Sequence, residues 1–130
     1  HELVNPLHEA SLGGHLSVVK LLLQFNADIN ARTGSESTRY NTAMHCAATK
    51  GHLDIVKYLL EKGADKEIIN INQHTPLLCS IIMERTDIAE YLIQEGSNTM
   101  ARDLVGKTPL HWAAFFGLNN MLDTKQRLHL

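Results

Sequence analysis

Apolar side chains recur along this chain with the spacing of a helix buried on one side. Leu53, Val56, Leu59 and Leu60 stand at i, i+3, i+6 and i+7, which places them on one helical face. The same alternation appears in Val18-Val19-Lys20-Leu21-Leu22-Leu23, in Ile55-Val56-Lys57-Tyr58-Leu59-Leu60 and in Ile88-Ala89-Glu90-Tyr91-Leu92-Ile93. A shorter helix precedes each of these. In the second unit it is predicted from about Thr42 to Lys50, with Thr as N-cap and with Ala47 and Ala48 small enough for close helix approach. Gly51 permits the turn, the second helix runs from about Leu53 to Glu61, and Gly63 closes it as a left-handed cap. The predicted fold is all-α, built of helix-turn-helix pairs joined by hairpin-like loops.

The pairs are copies of one another. Thr42-Ala43-Met44-His45, Thr75-Pro76-Leu77-Leu78 and Thr108-Pro109-Leu110-His111 lie 33 residues apart, and Asn5-Pro6-Leu7-His8 lies 37 residues before Thr42. The four extra residues fall in the Ser-, Thr- and Gly-rich connection Thr33 to Asn41. Gly14-His15 matches Gly51-His52, and Asn26-Ala27-Asp28 matches Gly63-Ala64-Asp65 and Gly96-Ser97-Asn98. A T-P-L-H, A-A, G-H, I-V-x-L-L, G-A-D pattern at this period resembles the ankyrin repeat family over nearly the whole chain. The resemblance implies a solenoid of four stacked repeats at approximately 1–32, 33–69, 70–102 and 103–130, forming a single domain over 1–130. One such unit cannot bury its apolar face alone, so neighbours must stack.

Several positions depart from the pattern. Glu84-Arg85 replaces Gly-His in repeat three, Leu78 replaces His, Gln73 replaces the hairpin Gly that Gly106 retains, and Asn26 replaces a capping Gly. In repeat four Lys125 and Gln126 stand where the Leu-Leu pair belongs, a polar helix suited to a solubilising end. The chain opens at His1 without an initiator Met, and repeat one starts at its first helix. A fragment of a larger protein with further repeats upstream is therefore expected.

Charge and composition narrow the function. A net charge of −2 with no cluster of Lys and Arg argues against a nucleic-acid binder. The apolar runs are too short to span a bilayer, and no signal peptide opens the chain. Two cysteines, Cys46 and Cys79, make no disulfide framework and suit a reducing compartment, cytoplasmic or nuclear. They hold equivalent positions in packed helices about 8–10 Å apart, beyond the roughly 7 Å limit for a bridge. The resemblance makes His8, His45 and His111 structural, with His15 and His52 following the turn glycines. No histidine pair shows metal-ligand spacing on a helix face, and no nucleophile elbow or phosphate loop is present. We therefore expect no catalytic residue, no metal and no cofactor.

The resemblance implies a monomeric scaffold or adaptor that binds another protein, a peptide segment or a folded domain, through its concave face and hairpin tips. A stoichiometric inhibitor of an enzyme or transcription factor, and the targeting domain of a larger protein, are the other readings. Residues just before each turn position lie on the concave side in the family. Here they include the apolar pairs Ile82-Met83 and Phe115-Phe116, with Trp112 one turn earlier. With Arg39 and Tyr40 in the longer connection, these residues are the expected partner-binding face, set apart from the Leu-rich core. Asn30, preceded by Asp28-Ile29 and with Leu22 eight residues before it, resembles the target of asparaginyl hydroxylases that act on ankyrin repeats.

Overall fold

The computed structural model describes residues 5–34 and 38–118. In chain order the helices are α1 (Pro6–Gly13), α2 (Leu16–Gln24), α3 (Ala43–Lys50), α4 (Leu53–Glu61), α5 (Pro76–Ile82), α6 (Thr86–Gln94) and α7 (Pro109–Phe115), with no strand among the described residues. The Lys125-Gln126 segment lies outside them.

Local chemistry starts and stops each helix. Thr42, Thr75 and Thr108 accept hydrogen bonds from the amides of His45, Leu78 and His111 at 3.3, 3.2 and 3.3 Å. Asn5 does the same for α1, from Leu7 N–H at 2.9 Å. Proline at the first turn of α1, α5 and α7 has no N–H to leave unsatisfied. Between the helices of a pair the chain passes through a left-handed residue: Gly14 at φ 78°, Gly51 at φ 85° and, in repeat three, Glu84 at φ 56°. Asn26, at φ 66°, takes the cap position held elsewhere by Gly63 and Gly96.

The odd-numbered helices pack on one another in sequence, α1 on α3, α3 on α5 and α5 on α7. The even-numbered helices form a second, more loosely contacting layer. The first layer is the one that the family resemblance places on the concave side. Its buried side chains follow the repeat, with Leu7, Met44 and Leu77 in equivalent positions and Ala47 and Ala48 fully enclosed. In the second layer Ile55, Val56 and Leu59 are completely buried, and Ile88, Ala89 and Leu92 match them. The expected buried face of α4 thus needs correction: Val56 and Leu59 are buried, but Leu53 and Leu60 are only half-buried and Ile55 joins the core. The reason is that α4 is packed on two sides, by its own α3 and by the neighbouring second-layer helices. Full burial of each such aliphatic side chain contributes about 1.5–3 kcal/mol.

Polar side chains tie each repeat together and to the next. His8 Nε2 meets Ala31 O at 2.7 Å, and His45 Nε2 meets His74 O at 2.8 Å. The backbone N–H of Thr42 donates to His45 Nδ1 at 3.1 Å, so Nε2 carries the proton and donates to the carbonyl. His52 Nε2 reaches the free carbonyl of Leu12 near the end of α1 at 3.0 Å, and Arg85 Nε reaches the equivalent Thr49 O at 3.2 Å. Arg85 therefore does in repeat three what His52 does in repeat two. Asn30 Oδ1 accepts from Asp65 N–H at 2.8 Å, and the equivalent Glu67 Oε2 from Asn98 N–H at 3.0 Å. The hairpins bond in the same register, Ile71 N–H to Arg39 O at 3.0 Å and Leu104 N–H to Asn72 O at 3.4 Å. This register puts the four extra residues before Arg39 and makes Tyr40 (φ 52°), Gln73 (φ 57°) and Gly106 (φ 80°) equivalent left-handed positions. On the outer layer Lys20 lies 5.3 Å from the Tyr58 ring and Lys57 5.4 Å from that of Tyr91, a cation–π contact repeated between neighbours.

Two outcomes follow. Glu84→Gly removes a Cβ from a left-handed residue and is expected to stabilise the chain by about 0.5–1 kcal/mol in urea unfolding; a clear destabilisation contradicts this account. Burial holds the His45 imidazole neutral, lowering its pKa from 6.5 to about 4. The folded state then binds fewer protons than the unfolded one across that window. Stability linked to His45, on the order of 3 kcal/mol, is fully present above pH 6.5 and is lost as pH falls toward 4. Burial lowers the His8 pKa as well, in the same sense. NMR titration of the imidazoles checks this: His45 is expected to stay neutral well below pH 6, and titration at the ordinary value contradicts it.

Candidate functional site

Because the first-layer helices share one register, the same helix position of each repeat lines up across the concave side. Glu9, Cys46 and Cys79 form one such row, and Leu12, Thr49 and Ile82 a second row one turn further along. Arg32, Thr33 and Gly34, then Thr38, Arg39 and Asn41, with Asn70 and His74 of the next hairpin, supply further lining. Together they bound a groove of about 910 Å³ that runs across the first three repeats.

Its hairpin wall is pinned by polar bonds. Asn70 Nδ2 donates to Asn41 Oδ1 at 3.0 Å, and Asn70 Oδ1 accepts from the amides of Asn72 and His74 at 2.9 and 3.0 Å. Thr33 Oγ1 donates to Thr38 O and accepts from Asn41 N–H. Burial lowers the His74 pKa despite the Asp103 carboxylate 3.8 Å away. That carboxylate is occupied by its own hairpin, accepting from the amides of Val105 and Lys107 at 3.0 and 2.9 Å and from Trp112 Nε1 at 2.9 Å.

The two cysteines are free and buried, and burial pushes both thiols up to about 12. At neutral pH they are protonated and poorly nucleophilic. His45 and His111 are engaged in capping, each with Nδ1 held by the N-cap threonine. Among the described residues no group of three or more His, Cys, Asp or Glu side chains is placed to hold a metal ion. No helix among them is long and apolar enough to cross a membrane. The chemistry this surface offers is recognition by apolar contact, hydrogen bonding and charge.

The structure divides the residues singled out from sequence. Arg39, Ile82 and Met83 line the groove, and Met83 is 46% exposed. Trp112 and Phe115 continue the two rows by register, but they lie on α7 outside the groove lining, as do Phe116 and Tyr40. Trp112, Phe115 and Phe116 form a cluster of their own. The Trp112 ring stacks on Phe116 at 6.0 Å, Phe115 meets Phe116 edge-on at 5.2 Å, and Lys107 Nζ lies 4.8 Å from the Trp112 centroid. Phe115 is 71% exposed, whereas Trp112 and Phe116 are half-buried and pack against the core. Phe116 is thus a packing residue as well as a surface one, closer to the core than the sequence pattern suggests. Asn30 is half-buried with its side-chain oxygen on the Asp65 amide. Sequence reading missed Glu9, Arg32, Asn41, Asn70 and His74 as groove residues. The first of these was recoverable by placing position 9 in register with Cys46 and Cys79.

Known proteins share this architecture. A family model described as ankyrin repeats (3 copies) matches residues 2–70 and again residues 67–124. The chain is also 35% identical over 121 residues to an ankyrin repeat protein of Acanthamoeba polyphaga mimivirus. That match takes in 92% of this chain but 15% of the relative, so the chain spans a small part of the protein it resembles. Ankyrin repeats generally serve as protein–protein interaction modules and are typically not enzymes. Helix pairs capped by threonine, turned through left-handed residues and stitched together at a period of 33 carry the same assignment as these matches, and the chain belongs to the ankyrin repeat family.

Proposed function

We propose that this chain is a scaffold or adaptor module that receives a segment of a partner protein in the concave groove. The observation that carries this reading is the groove itself: about 910 Å³ across three repeats, with Leu12, Ile82 and Met83 along one side and hydrogen-bonding hairpins along the other. Apolar surface interleaved with fixed polar groups is the makeup of a recognition site. The exposed Phe115 ring, with Trp112 and Phe116 behind it, is a second contact surface in this proposal. The chain acts as a monomer without catalysis, cofactor, nucleic acid or membrane insertion, in the cytoplasm or nucleus. Its match to a short part of a much longer relative supports a role as the targeting domain of a larger protein. If the partner is an enzyme or transcription factor whose activity falls on binding, the role is inhibition by masking.

Affinity purification with native flanking sequence, followed by titration of the recovered partner, tests this. Met83→Ala is expected to weaken binding by roughly 1–4 kcal/mol if Met83 is a hot spot, with little change in thermal stability. Phe116→Ala is expected to lower stability, because that ring packs on the core. Unchanged affinity for the confirmed partner in both Met83→Ala and Phe115→Ala refutes binding through these surfaces. An activity assay on the partner separates adaptor from inhibitor.

Hydroxylation of Asn30 belongs to the same proposal. An asparaginyl hydroxylase needs this side chain withdrawn from the Asp65 amide, so modification is expected to be slow on the folded chain and faster as stability drops. Mass spectrometry after incubation with such an enzyme reads it: one added oxygen at Asn30 supports the assignment, and none even in a destabilised variant removes it.

A further inference from the structure

We propose that the groove selects partner segments in which an aspartate or glutamate stands close to a bulky aliphatic or methionine side chain, the carboxylate meeting Arg39 and the apolar group meeting Ile82 and Met83. This rests on the reading of the groove as the partner-binding face, and it names what that face prefers.

The charges decide it. Three formally charged side chains line the groove: Glu9, Arg32 and Arg39. Glu9 lies on α1 and Arg32 at the start of the connection between repeats one and two, so the described lining carries two cations against one carboxylate. Arg39 stands close enough to His74 and Cys79 that its charge acts on both. Among the described residues Glu9 is the one carboxylate in the lining, and Arg39 has no ion-pair partner. The nearby Asp103 is outside the lining and already accepts three hydrogen bonds. An unpaired guanidinium lining the same groove as the apolar Ile82 and half-exposed Met83 is complementary to a carboxylate near an apolar side chain.

Backbone conformation points the same way. Arg39 has φ 61°, whereas the equivalent Asn72 and Val105 are not left-handed. A left-handed conformation is unfavourable for a residue that carries a Cβ. Its carbonyl accepts from Ile71 N–H of the next hairpin at 3.0 Å, a bond the equivalent Asn72 makes without positive φ, so the left-handed turn belongs to the longer connection itself. Backbone strain at a groove-lining residue is compatible with a positioned recognition group. A polyanion is a poor occupant: one uncompensated cation makes no track for a phosphate backbone.

Selection of random twelve-residue displayed peptides on the whole chain tests the proposal, with Arg39→Glu and Met83→Ala run in parallel and folding checked by thermal melts. Wild-type selections are expected to enrich Asp or Glu within three positions of Leu, Ile, Met or Phe. Arg39→Glu is expected to turn that acidic preference into a basic one. For a synthetic copy of the best binder, replacing the acidic residue by its amide is expected to weaken binding about ten-fold for wild type and far less for Arg39→Ala. Binders that show no acidic preference, or an identical set from Arg39→Glu, overturn the inference and leave the groove reading standing. A phosphoserine at the acidic position that binds more than ten-fold tighter overturns it in favour of phosphate recognition. Absence of binders, or binders indifferent to both variants, removes the groove reading with it.

Discussion

A pair of helices of seven to nine residues has more apolar surface than it can cover by folding on itself. Everything else in this structure answers that constraint. Ile55 and Val56 are fully buried only because α4 has a helix of its own repeat on one side and second-layer neighbours on the others. Val18, the equivalent of Ile55 and Ile88, has no such helix before it among the described residues and remains 42% exposed. Burial here is a property of neighbours, and stability accumulates as an interface term between repeats.

Stacking also dictates where the polar groups go. Helix ends and hairpins present carbonyls and amides that no helix satisfies. The repeats use one another to satisfy them, through His45, His52 and Arg85 toward carbonyls and Asn30 and Glu67 toward amides. These bonds act across the same interface as the apolar contacts, so register and burial reinforce each other. The cost of burying imidazoles is a sensitivity to acid. His8 and His45, whose pKa values burial lowers, are the groups whose protonation opposes folding.

The groove is a by-product of the same periodicity. Equivalent residues must line up, so a position that is apolar in one repeat and polar in the next produces a graded wall instead of a uniform one. The row Leu12, Thr49, Ile82 alternates in that way, and the connection between repeats one and two places the charged Arg39 where later hairpins carry Asn72 and Val105. Recognition is therefore written in the departures from the repeat, while the repeat itself supplies the frame.

Helix order, capping and turn positions were legible in the chain alone, because each rests on contacts within a few residues. Thr42 caps α3, Gly51 turns, Gly63 ends α4, and the 33-residue period announces that equivalent positions stack. The glycine substitutes Asn26, Gln73 and Glu84 could also be read, since a turn that demands positive φ demands it of any residue placed there. Other features depended on partners 29 to 40 residues away. Arg85 takes over the duty of His52 only because Thr49 O lies within its reach. Phe116 packs on the core while Phe115 points outward, a distinction two adjacent phenylalanines do not carry in sequence. Arg39 joins Ile82 and Met83 in one groove only once the extra residues before it are placed and the hairpins are bonded in register. Local propensity sets where helices begin and end; which side chains share a surface is decided by how one repeat lies against the next.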